Sequence, residues 1–307
     1  MRRFILRRLA ITIPMVLMIV TVTWGLIRLA PGNFYASERA LPAAIERNIR
    51  EKYGLDRPWY VQYGKMISNT LRGDFGISLR YEGQPVNEIL ARTIPVSASI
   101  GLMAYLLALT IGVTIGTIAA VRQNSKLDYS SMAFAILGIS MPNFVLGPLL
   151  VLIFSLSLYW FPPARFDGFF SRSVILPTIT LSAIYMAYIA RLTRSGMLEV
   201  LRSDYIRTAR AKGLDEKHIV MKHAMRGGLL PVVSFSGPAL AILITGTVVV
   251  ERIFAMPGVG NYFVNASLNR DEPLILGIVA FVSIVILFFN LLVDIAYGFS
   301  ASRSVAP

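Results

Sequence analysis

The sequence predicts an all-α integral membrane protein of six transmembrane helices with a small helical cap outside the membrane. Three observations carry that prediction. Of the 307 residues, 55% are hydrophobic and only 15% are charged, where an average soluble domain carries about 25% charged residues. Six apolar segments reach the roughly 20 residues that a helix needs to cross the hydrocarbon core. Lysine and arginine also concentrate in alternate connecting segments, as the positive-inside rule requires of an inserted chain.

The spans follow in chain order. Leu9 to Ala30 comes after the arginine-rich start "MRRFILRR", and its one charge, Arg28, lies near an end. The apolar run exceeds the 7 to 15 residues of a signal-peptide core, so it reads as an uncleaved first span. Ser97 to Val121 is uncharged and carries Gly112-x-x-x-Gly116, a spacing that lets helix backbones approach closely. Tyr129 to Leu158 contains Pro142 and Pro148, so this span should be kinked or interrupted. Val174 to about Gly196 ends at Arg191 and Arg194, and Gly227 to Val250 and Leu274 to Val293 complete the set.

Orientation follows from the basic residues. With the N-terminus inside, the inner segments hold sixteen lysines and arginines, nine of them between Arg191 and Arg226, and the short outer segments hold four. Both termini are therefore expected in the cytoplasm. The chain then divides into a tail and first span (1–30), an external loop (31–96), a five-span core (97–299) containing a cytoplasmic loop (199–228), and a C-terminal tail (300–307). Within the external loop, Ile45, Ile49 and Tyr53 have helical spacing with Gly54 as a stop, and a second helix is expected from Pro58 to about Leu71.

The reactive side chains set limits on function. There is no cysteine, which excludes disulfides, thiolate metal sites and cysteine nucleophiles. The formal net charge of +13 is explained by retained cytoplasmic basic residues, and no compact basic domain is present to bind nucleic acid. His218 and His223, the only histidines, are five positions apart, about 140° around an α-helix, so they are not expected to share a metal. Glu251 and Asp294 fall at span ends, where water should reach them; a proton-coupled carrier would place an acid nearer mid-membrane. No G-x-x-x-x-G-K-[ST] loop occurs, since Gly64-Lys65 precedes Met66 and lacks the upstream glycine. The chain is thus read as no enzyme, with no cofactor of its own; nucleotide energy, if used, must come from a partner. An ATP-independent channel or secondary carrier is the alternative.

The loop between the fourth and fifth spans, "DYIRTARAKGLDEKHIVMKHA", is hydrophilic yet organised. Ser203 and Asp204 are N-cap residues for a short helix Tyr205 to Lys212, and Gly213 is a C-terminal stop. Asp215 can cap a second helix running to about Arg226, ended by Gly227-Gly228. A basic loop resting on anionic lipid needs neither caps nor the small side chains of Ala209, Ala211 and Gly213. A protein docking surface uses both.

At these residues the sequence resembles the ABC-transporter permeases, specifically the B-type inner-membrane subunit of oligopeptide, dipeptide and nickel importers. The likeness rests on "DYIRTARAKGL" and "HAMRGGLLP", and on "RLAPGN", "GDFGIS", "QNSKLDY", "MPNFVLGPLL", "ILPTITLSAIYMAYIARLTRSGMLEVL" and "MPGVGNYFVNASLNRDEP", in order along nearly the whole chain. Arg207, Thr208 and Ala209 stand at the family's E-A-A positions and Gly213 at its glycine. Arg207 replaces the glutamate, Thr208 replaces the first alanine, and His223 to Arg226 replace the I-x-L-P end, with Pro231 later. These departures suit the peptide and nickel branch.

The resemblance implies a type I ABC importer permease fold in a bacterial inner membrane. It implies a second homologous permease subunit, two cytoplasmic ATPase subunits that bind ATP and Mg, an extracytoplasmic solute-binding protein, and surrounding membrane lipid. Arg207, Thr208, Ala209, Arg210, Ala211, Lys212, Gly213 and Leu214 would couple ATPase closure to the spans. Ser140, Pro142 and Asn143, where proline opens the backbone, are candidates for the substrate path, against the plainer reading of a packing kink.

Overall fold

The computed structural model of the protein describes residues 2–29, 57–81 and 83–304, with the backbone alone at 2–6, 9 and 296–304. The predicted external helix around Ile45, Ile49 and Tyr53 lies outside the described residues. Among the described residues the regular structure is helical, apart from one antiparallel bridge between Ile77 and Pro85. Among the described residues five helical segments are long and apolar enough to cross a membrane, or six if the bent pair 126–140 and 143–157 is one span.

The chain divides into two compact units, residues 1–95 with 259–287, and residues 96–258 with 288–307. In the first unit, α1 (Arg2–Leu29) buries Val16, Val20 and Trp24 against Leu276 and Ala280 of α12 (Glu272–Ser304). These three residues recur every four positions, so they form one seam on the helix. Most of the remaining apolar face, including Met18, Val22, Leu26 and Leu29, is exposed. The second predicted external helix is present as α2 (Trp59–Leu71). After it, Asp271 is fully buried and accepts hydrogen bonds from the Ser78 hydroxyl and from the backbone N–H of Leu79 at 3.0 Å and Arg80 at 3.1 Å. Buried polar atoms are costly unless paired, and this carboxylate is well supplied with donors.

α3 (Val86–Val121) begins eleven residues before the expected span, because the apolar period continues upstream through Val86, Ile89 and Leu90, all buried. In the second unit its later turns pack on α6 (Ile175–Leu201) through a core that includes Ile100, Ala104, Ala108, Leu181 and Ile189. Gly112 and Gly116 serve as their spacing suggests. A Cβ on Gly112 would overlap Met186 and Ile189, and one on Gly116 would overlap Ala190 and Thr193, so the two backbones are in near contact.

The third span is broken rather than kinked. α4 (Lys126–Ser140) and α5 (Asn143–Leu150), which continues in π turns from Val151 to Ser157, meet at 102°. Pro142 adopts extended backbone at the start of α5; with no N–H it cannot continue the ladder of α4. The fifth span also has a break. α9 (Leu230–Ile244) is separated from α10 (Val248–Ile253) by a turn at Gly246 with φ +87°.

That second break changes the reading of Glu251. Instead of meeting water at a span end, Glu251 is 4% exposed and accepts a hydrogen bond from the Ser97 hydroxyl at 2.7 Å. Gly246 and Gly258 crowd its carboxylate, where a Cβ at either position would overlap Oε1. The final helices are α11 (Val259–Leu268) and α12.

Candidate functional site

The loop after α6 folds as the sequence suggests over its first half. α7 (Asp204–Ala211) starts at Ser203, whose backbone is extended. The Ser203 hydroxyl does not cap α7, however; it donates back to the Val200 carbonyl at 2.6 Å. The end of α7 is a Schellman motif. Gly213 N–H donates to the Arg210 carbonyl at 2.9 Å, Leu214 N–H reaches the Ala209 carbonyl at 3.3 Å, and Gly213 has φ +75°. That backbone favours glycine, because a Cβ in the left-handed region meets the following carbonyl oxygen.

Burial divides the eight candidate residues into two faces. Ala209 is buried, as is Ile206 one turn before it, and both join Met197, Ile219, Val220, Ala224 and Ala120 in one apolar cluster. Arg207, Thr208, Arg210, Ala211, Lys212, Gly213 and Leu214 are exposed. Arg207 pairs with Asp204 at 3.2 Å, and the Thr208 hydroxyl donates to the Asp204 carbonyl. Arg210 makes a two-pronged bond to Glu216, at 2.7 and 3.1 Å. This hydrogen-bonded arginine holds the Glu216 carboxyl below its usual range. α7 is thus fixed to its own chain by two apolar side chains and presents charged and small residues outward.

The second half of the loop departs from expectation. The helical run α8 covers 216–228 as a short α-helix (Glu216–His218), a π-helix (Ile219–Ala224) and another α turn (Met225–Gly228). Asp215 caps it, accepting from Lys217 N–H at 3.1 Å. The run ends at Gly228, as the glycine pair suggests, and a new helix starts at Leu230. The glycines also serve packing, since Gly228 lies where a Cβ would press into Met197, and Gly196 lies where a Cβ would overlap the Gly228 carbonyl. The π turn also overturns the separation of the histidines. Bonding from i to i+5 stacks residues five apart, and the His218 and His223 rings stand 5.6 Å apart.

The second candidate, Ser140, Pro142 and Asn143, occupies the 102° break. Ser140 and Pro142 are exposed. Asn143 Oδ1 is buried with no hydrogen-bond partner among the described residues, and the Gly138 carbonyl cannot receive an N–H from Pro142. An apolar cavity of about 350 Å³ adjoins the break, lined by Gly138, Met141, Leu146, Ala183, Met186 and Ala187 among others. The two candidates do not converge. The break meets α6 near Ala183 and Ala187, the loop meets it at Met197 and Val200, and ten residues of helix separate them by ~15 Å.

Sequence reasoning missed an ion pair in the same unit. Arg194 of α6 donates to both carboxylate oxygens of Asp128, the third residue of α4, at 2.6 and 2.8 Å. The Asp128 side chain is 3% exposed and also accepts from the Asn124 N–H at 3.0 Å. Partners 66 positions apart leave no local signal in the sequence.

An all-helical chain with several membrane-length helices, close glycine-mediated packing and a folded polar loop belongs to the class of multi-span membrane proteins. Comparison with known proteins specifies which. Residues 112–305 match the family described as the binding-protein-dependent transport system inner membrane component. The chain is 45% identical over 298 residues to the oligopeptide transport system permease protein OppB of Haemophilus influenzae, covering 97% of each. It is 42% identical to the dipeptide transport system permease protein DppB of Bacillus subtilis, covering 97% of this chain and 96% of that one. Among solved structures, the inward-facing MetNI methionine ABC transporter is similar with a TM-score of 0.53 and 16% identity, over 71% of this chain and 97% of that chain. An amino acid ABC transporter is similar with a TM-score of 0.52. This chain therefore belongs to the family of binding-protein-dependent transport system inner membrane components, and its fold is that of a type I ABC importer permease. Such permeases are translocation subunits, and ATP hydrolysis belongs to separate ATPase subunits.

Proposed function

We propose that this chain forms half of the translocation path of an ATP-driven importer for oligopeptides or dipeptides in a bacterial inner membrane. The oligopeptide and dipeptide relatives support that cargo. The partners in this reading are a second, homologous permease, two cytoplasmic ATPases that bind ATP and Mg, and an extracytoplasmic solute-binding protein. Both termini and the 199–228 loop lie in the cytoplasm, a topology supported by the sixteen-to-four distribution of basic residues.

Residues Arg207 to Leu214 are the coupling element. The observation that carries this is the two-faced α7, which is anchored inward by Ile206 and Ala209 and closed by the glycine stop at Gly213. A helix held on one face moves with the spans when a partner pushes its other face. Coupling requires that one ATPase state bind that face differently from the other. Ser140, Pro142 and Asn143 border the substrate path. The unbonded acceptor Asn143 Oδ1 and the broken backbone ladder suit the N–H groups of a peptide.

The test is uptake by the assembled importer carrying Gly213→Glu. Beyond the adjoining residues no atom of this chain lies within 4 Å of a Cβ there, and Gly213→Ala, which carries the same left-handed backbone strain without the charge, is the control. Loss of peptide uptake together with weaker ATPase retention is expected, and unchanged uptake overturns the assignment.

A further inference from the structure

We propose that Arg194 is a positioning residue for coupling: its bidentate bond to Asp128 makes α6 and α4 one lever that carries movement of the 199–228 loop to the break at Ser140–Asn143. The inference rests on the coupling reading of that loop.

Three contacts along α6 define the lever. At its C-terminal end, Met197 shares the apolar cluster of Ile206, Ala209, Ile219, Val220 and Ala224, so α6 and α7 are joined by packing. Arg194 lies three residues before Met197, one turn along the helix, and grips Asp128 in the first turn of α4. Further back, the two helices touch again near the break, where a methyl on Gly138 would stand 3.2 Å from the Ala187 Cβ and 3.3 Å from the Ala183 carbonyl. The pairings 128 with 194 and 138 with 183 and 187 make the helices antiparallel, so α4 is attached to α6 at both ends.

The two attachments differ in kind. The Gly138 contact is close packing, which permits sliding, whereas the arginine fork fixes distance and angle together. Ser125 caps α4, accepting from Asp128 N–H at 3.3 Å, and Asn124, in left-handed backbone at φ +61°, donates to the Asp128 carboxylate. The turn before α4 is therefore built around the carboxylate. Without the fork, α6 can shift with the loop while α4 stays behind, and the break no longer receives the movement.

The experiment uses the complete importer in liposomes, with peptide uptake and ATP hydrolysis measured per assembled complex. Arg194→Lys keeps the charge and loses the fork. Uptake per ATP hydrolysed is expected to fall about fivefold to tenfold, within the range by which residues between sites alter coupling, while the ATPase subunits remain bound. A ratio unchanged in Arg194→Lys complexes, whatever their yield, overturns the proposal and leaves the pair a structural clamp. Gly213→Glu is run alongside: if it lowers ATPase retention while Arg194→Lys leaves the ratio intact, the lever alone fails. If Gly213→Glu changes neither retention nor uptake, the coupling reading itself fails.

Discussion

The Ser97 hydroxyl donates to Glu251 Oε1 at 2.7 Å, and both side chains are buried. The relationship fixes the short helix α10 against the early turns of the apolar part of α3, and the glycines at 246 and 258 leave the space that the carboxylate fills. A methyl at Gly258 has nowhere to go, so Gly258→Ala is expected to destabilise by about 1–3 kcal/mol through overpacking. The same change should cost less when Glu251 is already alanine, because the space is then empty. Melting of the four proteins of this double-mutant cycle checks the coupling; additive losses would refute the crowding argument.

Ile206 is fully buried in the cluster that seats α7. Truncation to alanine should loosen the loop by about 2–5 kcal/mol. Amide exchange over 204–228 should rise sharply, with little change in α3. Exchange that rises equally throughout would show that Ile206 supports the whole fold rather than the loop.

Gly213 at φ +75° tests the helix stop. Alanine there should cost about 1–2 kcal/mol from the left-handed backbone. The first amides to exchange faster should be those of Gly213 and Leu214, whose bonds to Arg210 and Ala209 close the motif. Protection unchanged at those two amides would count against it.

The Arg210–Glu216 pair gives a pH dependence of known sign. The arginine lowers the folded-state pKa of Glu216. Its stabilisation is therefore present above the unfolded carboxylate pKa and lost as the pH falls through the folded one. Both side chains are about half exposed, so the effect is small, about 0.5 kcal/mol or less, and weakened by salt. Local exchange at the α7–α8 turn, followed from neutral to acid pH, should lose this component in Glu216→Gln.

Local chemistry in this chain was legible, and remote pairing was not. Apolar length located the spans because the requirement is set by membrane thickness, and Gly112-x-x-x-Gly116 announced a close helix contact because only small residues permit one. Ser203 and Gly213 marked both ends of α7. The π turn at 219–224 has no such signature, so the histidines were assigned the wrong angular separation. Gly227-Gly228 marked the end of α8 because glycine usually weakens helices; its further use as a seat for Met197 depends on α6, which no neighbouring residue reports. Asp128 with Arg194 and Ser97 with Glu251 were equally hidden, since each pair is set by how distant helices meet.

The apolar seam by which α1 packs, through Val16, Val20 and Trp24, bears on how the protein is made. The first span leaves the ribosome long before Leu276 and Ala280 exist, and its exposed Met18, Val22, Leu26 and Leu29 let it persist alone in lipid. Helix docking in a bilayer follows insertion as a separate step. A lesion such as Val20→Asn should therefore leave membrane targeting intact and delay maturation, so that nascent chains accumulate as inserted, protease-sensitive intermediates.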